Sequence, residues 1–261
     1  MLIEKDIRRV GLARALCKLG HCSRSQAVEL IRAGRVKLNG VARRSAECPV
    51  RLDRDRIEVD DQVVRMRDFV YVVMNKPRGL VTTASDEKGR KTIYSLLGEQ
   101  GQSWLAPVGR LDMASEGLLI LTNDSEWGDR LAAPESHLDK TYHVQIDRIA
   151  NRELIAAIEQ GIHHQGELLR AKRARILRSG ARNCWLEIIL DEGRNRHIRR
   201  ILNSQAAEVL RLVRVAIGPL ELGTLAKGAT RPLSGEEKCA LDEALLRATS
   251  ANRTRRRSKS A

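Results

Sequence analysis

Residues 108–124, Val-Gly-Arg-Leu-Asp-Met-Ala-Ser-Glu-Gly-Leu-Leu-Ile-Leu-Thr-Asn-Asp, constrain the fold more than any other stretch of the chain. A turn crowded with polar groups feeds four consecutive aliphatic residues, Leu118 to Leu121, and these run straight into Thr122-Asn123-Asp124. An apolar run this short, bounded by turn residues, suits a strand covered on both faces. A charged loop is thereby set beside a buried strand, and Asp112 is expected where the backbone emerges from the core. That is an address suited to chemistry.

The flanking segments fill out a mixed pattern. Val70 to Met74 reads as a strand, left through Asn75-Lys76-Pro77-Arg78-Gly79, whose Pro-Gly composition points to a structural turn, with an RNA contact by Lys76 as the alternative. Lys140 to Ile146 alternates as a strand, and Cys184 to Leu190 forms another. Asn151 to Gln160 has an Asn cap, Glu153 in its first turn, a stripe of Leu154, Ile155 and Ile158, and Gly161 as a stop, which together predict a helix. Strand, loop and helix follow one another without a strict βαβ rhythm. The expected class is therefore α+β, with a mixed, largely antiparallel central sheet.

The N-terminal residues have a separate logic. Leu12, Ala15, Leu16 and Leu19 recur at helical spacing before Gly20; Ser23 and Gln26 then make a capping box for a second helix carrying Ala27, Leu30 and Ile31. Val36 to Ala42 reads as a hairpin around Asn39-Gly40, and Ile57 to Val59 as a further strand. Residues 66–70 form the hinge into the next unit. The expected organisation is a helix-helix-hairpin module over 1–66, a main domain over 67–247 and a basic, disordered tail over 248–261.

The formal net charge of +14 and pI near 10.1 favour a polyanionic partner. The excess sits at the ends: residues 1–65 hold 15 basic against 9 acidic side chains, and 248–261 hold 5 against none. Charge alone does not separate a solvated basic surface from one that binds RNA. Aromatic residues make up only 3% of the chain, so the core must be aliphatic and each Tyr or Trp invites a reason. No apolar stretch reaches membrane-spanning length, and the first residues have no signal-peptide pattern, so a soluble, cytoplasmic protein is expected. Five scattered cysteines suggest neither a disulfide framework nor a zinc site.

Glu192 to Asn203 is the second informative stretch. At 100° per residue, Arg196, Arg199, Arg200 and Asn203 fall on one arc, opposite Ile198, Ile201 and Leu202. Periodicity alone suits an ordinary amphipathic surface helix. Three guanidiniums without matching acids, however, invite a phosphate or a buried carboxylate, and Asp112 is one such carboxylate. Glu116 lies four residues beyond Asp112, but spacing inside a turn does not support an acid pair for glycosidic chemistry.

Two resemblances draw these pieces together. Residues 8–65, with Leu-Ala-Arg-Ala-Leu, Ser-Arg-Ser and Gly-Arg-Val-x-x-Asn-Gly in order, resemble the small RNA-binding module named after the small-subunit ribosomal protein S-four. Gly-Arg-Leu-Asp-x-x-Ser-x-Gly-Leu-Leu-x-Leu-Thr-Asn-Asp at 109–124 resembles the ribosomal-RNA pseudouridine synthases of the RsuA class. So do Asn-Lys-Pro-Arg-Gly at 75–79, Lys-Thr-Tyr at 140–142, Glu-Gly-Arg-Asn-Arg-x-x-Arg-Arg at 192–200 and Leu-Arg-Leu-Val-Arg-Val-x-Ile-Gly-Pro-Leu at 210–220.

The second resemblance implies an enzyme that isomerises a uridine within ribosomal RNA to pseudouridine. It implies that Asp112 is the essential aspartate acting on a flipped-out uridine, that Tyr142 packs on the base, and that Arg199, with Arg196 second, is the basic partner of Asp112. RNA contacts are expected from Arg110, Arg196 and Arg200, and, in the module, from Arg14, Arg24, Arg35 and Lys37. His197 could line the site, but it, His163 and His164 are expected to be bystanders. The reaction needs no redox or hydrolytic step, so no cofactor and no metal are expected. The expected partners are ribosomal RNA or ribosomal-subunit assembly intermediates, met by a monomer and without a membrane. The competing class is a non-catalytic RNA-binding or ribosome-assembly factor on the same fold.

Overall fold

The computed structural model describes residues 9–83, 86, 88–98, 104–164 and 166–257, and the chain divides into two compact units. The first comprises Met1–Tyr71 with Gly98–Ala106 and Leu121–Trp127, the second Val72–Leu97, Pro107–Ile120 and Gly128–Ala261. Among the described residues no helix is long and apolar enough to cross a membrane.

In the first unit, β1 (Val10–Gly11) leads into α1 (Leu12–Lys18) and α2 (Arg24–Arg32). The Ser23 hydroxyl accepts from the Gln26 N–H while the Gln26 side chain accepts from the Ser23 N–H, so the capping box forms as its spacing predicts. After the helices come β2 (Val36–Leu38), β3 (Val41–Ala42), β4 (Pro49–Val50), β5 (Ile57–Val59) and β6 (Gln62–Val63). The Asn39-Gly40 turn has both residues in the left-handed region, at φ 54° and 79°, which is the geometry a two-residue hairpin demands. Leu12, Leu16, Ala27, Ile31 and Val36 meet Ile57 in a single buried cluster.

This unit extends past the hinge expected at 66–70 because two polar side chains hold the neighbouring backbone. Asn123, 1% exposed, accepts from the Val70 N–H at 2.7 Å and donates to the Asp68 carbonyl at 2.9 Å. Asp124 accepts from the Tyr71 hydroxyl at 2.8 Å and caps α3 (Ser125–Ala132) through the Trp127 N–H. The Thr-Asn-Asp that ends the apolar run is thus a structural clamp as well as a turn.

Most of the second unit is one sheet with helices against it. Its strands are β7 (Tyr71–Lys76), β8 (Ala106–Pro107), β9 (Glu116–Thr122) and β10 (Lys140–Ile146), then, after α4 (Arg152–Gln160) and the small hairpin β11 (Ile162–His164) and β12 (Glu167–Leu169), β13 (Arg173–Ser179) and β14 (Cys184–Leu190). Beyond α5 (His197–Ser204) follow β15 (Val209–Ile217), β16 (Leu220–Glu221), β17 (Thr230–Pro232) and α6 (Gly235–Arg257). The order is β13-β14-β10-β15-β9-β7-β17, with β16 on β15 and β8 on β9. β15 runs parallel to β9, whereas β10, β13 and β14 pair antiparallel with their neighbours, so the α+β class with a mixed sheet is what the chain adopts. Leu118 to Leu121 have no exposed surface, in keeping with a strand covered on both faces. Val144, Leu186 and Ile188 pack with Ile198, Ile201 and Leu202 of α5.

One expectation needs correction. The segment from residue 248, read as disordered, continues α6 to Arg257, and only its last four residues lie outside those described. Ala and Arg propagate a helix well once a preceding turn is nucleated, and α6 is anchored by fully buried Leu241.

Candidate active site

The Asp112 turn is built by its neighbours' backbone. Lys76, at the end of β7, has no exposed surface and donates from Nζ to three carbonyls: Pro77 at 3.1 Å, Asp112 at 3.1 Å and Ser115 at 2.9 Å. The Gly79 N–H donates to the Met113 carbonyl at 2.7 Å, the Thr82 hydroxyl to the Leu111 carbonyl at 2.7 Å, and the Ser115 N–H closes the turn on the Asp112 carbonyl. The loop 77–82 therefore cradles residues 111–115 and leaves the Asp112 side chain half-buried at a cavity of about 290 Å³. Burial pushes the Lys76 ammonium down to about 8, against the opposing pull of Asp112 and Glu116.

Glu116, the other acid of this stretch, is committed elsewhere. It is 4% exposed, accepts two hydrogen bonds from Arg211 at 3.1 Å and forms an ion pair with Lys227 at 2.6 Å. Burial raises its carboxyl, but these contacts outweigh it and hold the group below its ordinary value.

Across the cavity stands one face of β10 and β15. Lys140 and Tyr142, two residues apart, share a face of β10, and Arg214 is the register partner of Tyr142. The register shifts between Thr141 and Tyr142, where Val215 is the extra residue on β15. The bulge brings Leu212, Arg214 and Ile217 to the same cavity although strict alternation would turn Ile217 away. Gly117 joins β9 to β15 beside this point. It sits opposite Arg214 at φ 103°, and a Cβ there would lie 2.2 Å from the Arg214 carbonyl oxygen.

Helix α5 closes the third side. Arg199 is half-buried and donates to the Ala114 carbonyl at 3.3 Å and the Val209 carbonyl at 3.2 Å, so it ties the Asp112 turn to β15 through main-chain groups. Burial and Arg196 lower its guanidinium from the ordinary value, and Asp112 acts in the opposite sense. Within 4.0 Å the described residues contain no ion pair between Arg199 and Asp112; the two share the cavity and its field. Arg196 caps α5 in the left-handed region at φ 49° and is exposed, as is Arg110 on the rim. Arg200 reaches Glu167 at 3.3 Å, which supplies the acid that the helix itself lacks.

Periodicity missed three residues that line this cavity. His197, expected as a bystander, is 3% exposed with neither ring nitrogen hydrogen-bonded among the described residues, and burial lowers its imidazole from the ordinary value. Lys140 and Arg214 also line it; both stand in the quoted Lys-Thr-Tyr and Leu-Arg-Leu-Val-Arg motifs, but the strand register, which the linear pattern does not contain, is what brings them to one cavity. Among the described residues no group of His, Cys, Asp and Glu is arranged to hold a metal.

The module residues separate into two kinds. Arg14 and Arg24 are exposed on α1 and α2. Arg35 grips Asp60 with two hydrogen bonds and Lys37 pairs with Asp61, so both lie on the surface with their charge partly answered.

Comparison with known proteins places this geometry. A family model described as RNA pseudouridylate synthase matches residues 70–204, and one described as S4 domain matches 10–57. An uncharacterised RNA pseudouridine synthase of Aquifex aeolicus is 36% identical over 90% of this chain and 95% of its own length. A ribosomal large subunit pseudouridine synthase B of Bacillus subtilis is 35% identical over 87% and 93%. A crystal structure of a pseudouridylate synthase superposes with a TM-score of 0.63 at 29% identity, covering 89% of this chain and 99% of that one.

Proposed function

The chain belongs to the RNA pseudouridylate synthase family, and from that membership we propose that it isomerises a uridine of ribosomal RNA, in the large subunit as its Bacillus relative is named to do, with Asp112 as the catalytic group. The observation that carries the reading is the Asp112 turn, held through its main-chain groups and facing Tyr142 and Arg199 across one cavity.

The chemistry follows from what such a site provides. The bond between ribose carbon 1 and uracil N1 breaks, a bond from that carbon to uracil carbon 5 forms, carbon 5 loses its proton and N1 gains one. Atoms balance without oxidant, reductant or water. A base inside a folded RNA must be extruded to reach the Asp112 carboxylate, at a cost of a few kcal/mol. Stacking on the Tyr142 ring offsets roughly 1–3 kcal/mol of that cost. Arg199 and Lys76 surround the Asp112 carboxylate, the group that acts on the ribose or the base, with positive charge. Arg110 and Arg196, exposed at the rim, meet the flanking phosphates, while Arg14 and Arg24 give the first unit its RNA-facing charge.

The test is the Asp112→Asn variant, assayed for pseudouridine in rRNA by carbodiimide modification and primer extension, alongside filter binding. Pseudouridine formation is expected to vanish while RNA affinity stays within about threefold, since a neutral amide retains the shape of the turn. Full activity in the variant would sink the assignment, and mapping the lost modification identifies the uridine and subunit.

A further inference from the structure

A buried cation and a half-buried one in the cavity wall have no task in the scheme above. Arg214 is 5% exposed; its Nε donates to the Leu118 carbonyl at 2.8 Å, while its Nη2 has no hydrogen-bond partner among the described residues. Lys140 stands beside it on the adjacent strand, and its Nζ makes no hydrogen bond or ion pair among the described residues. Burial, then the nearness of Arg214, lowers the Lys140 ammonium from its ordinary value. The acids whose fields reach Lys140 are otherwise placed: Asp139 is held by Lys172 at 2.8 Å, and Asp191 lies 3.9 Å from His137. Two cations side by side in a half-dry wall cost free energy unless an electron-rich group faces them.

The isomerisation supplies such a group. When the ribose bond to N1 breaks and its electron pair leaves with the base, the uracil ring carries negative charge shared among N1 and the two carbonyl oxygens. We propose that Lys140 and Arg214 form the seat for the carbonyl oxygens of the uracil, and hold the ring through its release and its turn from N1 to carbon 5. A donor seated at carbonyl oxygen 4 also rejects cytosine, whose exocyclic amino group at that position is itself a donor. The proposal rests on the assignment of this cavity as the uridine site. It adds the side chains that read and retain the base, on the wall that carries Tyr142.

Single-turnover rates on an rRNA fragment carrying uridine, 2-thiouridine or 4-thiouridine at the mapped target provide the test, because sulfur accepts hydrogen bonds more weakly than oxygen. Lys140→Met and Arg214→Met are each expected to slow pseudouridine formation by about 10- to 100-fold with RNA affinity within about twofold, as follows from removing a charge-assisted hydrogen bond made mainly in the transition state. One of the two thio substitutions is expected to slow the wild type about tenfold, and the matching Met variant less than about twofold, as required of a direct contact in a double-mutant cycle. A structural defect would lower both substrates' rates in proportion and leave the thio penalty intact. Arg214→Met also frees the Leu118 carbonyl; should it fail to fold, Lys140→Met, which breaks no hydrogen bond, decides the matter. If the wild type forms pseudouridine and its thio penalty is unchanged in Lys140→Met, the uridine site stands and this proposal falls. If the wild type forms none, both fall.

Discussion

An ammonium with no exposed surface is costly, and Lys76 is retained beneath the Asp112 turn because three carbonyls converge on it. Its proton is released near pH 8 in the folded chain and near 10.5 in the unfolded one. Between those values the unfolded state binds more protons, so this group makes stability rise with pH; below them both states are charged and the burial cost is fully felt. Urea denaturation of the wild type and Lys76→Met should therefore show their stability difference shifting in favour of the wild type, on the order of 2–3 kcal/mol between pH 8 and 10.5. A difference that stays flat across that window would mean that Lys76 keeps its proton in the folded chain as fully as in the unfolded one. The Asn-Lys-Pro-Arg-Gly run disclosed a structural turn, but not that the lysine points inward, since only the fold brings the carbonyls of Asp112 and Ser115 to it.

At the scale of elements, the site depends on how closely β15 can approach β9. Gly117 permits it: the left-handed φ and the 2.2 Å that a Cβ would leave to the Arg214 carbonyl both exclude any side chain. Gly117→Ala is expected to destabilise the chain by about 3 kcal/mol or more, through backbone displacement that separates Asp112 from the β15 wall. Thermal unfolding and pseudouridine assays check this; a variant with near-native stability and rate would show that the strands tolerate a wider seam. α5 makes a complementary point. Arg196 begins it in the left-handed region, with a cation at the positive end of the helix, so two local preferences are overridden at once. Such conflicts concentrate where a side chain has work to do, and Arg196 is at the rim of the cavity. The strands Lys140–Ile146 and Cys184–Leu190 and the helix after Asn151 were legible because their periodicity is strict over a whole element. The bulge at Val215 was not legible: it adds a single residue, and its signature is the partner's register.

For the whole molecule, charge is the property the chain displays most openly. Residues 248–261 include five basic and no acidic residues, and the helical continuation to Arg257 places four of them on α6. Deleting 248–261 is expected to flatten the dependence of log affinity on log salt by roughly 0.7 for each phosphate that this segment neutralises in the full-length chain. An unchanged slope would remove the segment from the RNA interface. Catalysis in the bound complex should be unaffected, since among the described residues those deleted line no part of the Asp112 cavity.

The linear sequence by itself determined the α+β class, the two-helix and hairpin start, the buried strand Leu118–Leu121 and the position of Asp112 at its mouth, because each follows from local periodicity, capping and turn chemistry. Ordered motifs likewise brought out Tyr142 and Arg199. Only the tertiary structure decided that Arg199 reaches the turn through the Ala114 carbonyl and that Glu116 is spent on Arg211 and Lys227. It alone decided that Lys140 and Arg214 face the same cavity as Asp112. These are long-range pairings set by strand register, a bulge and close backbone approach, and residues about 100 positions apart hold no local pattern that states which of them will meet.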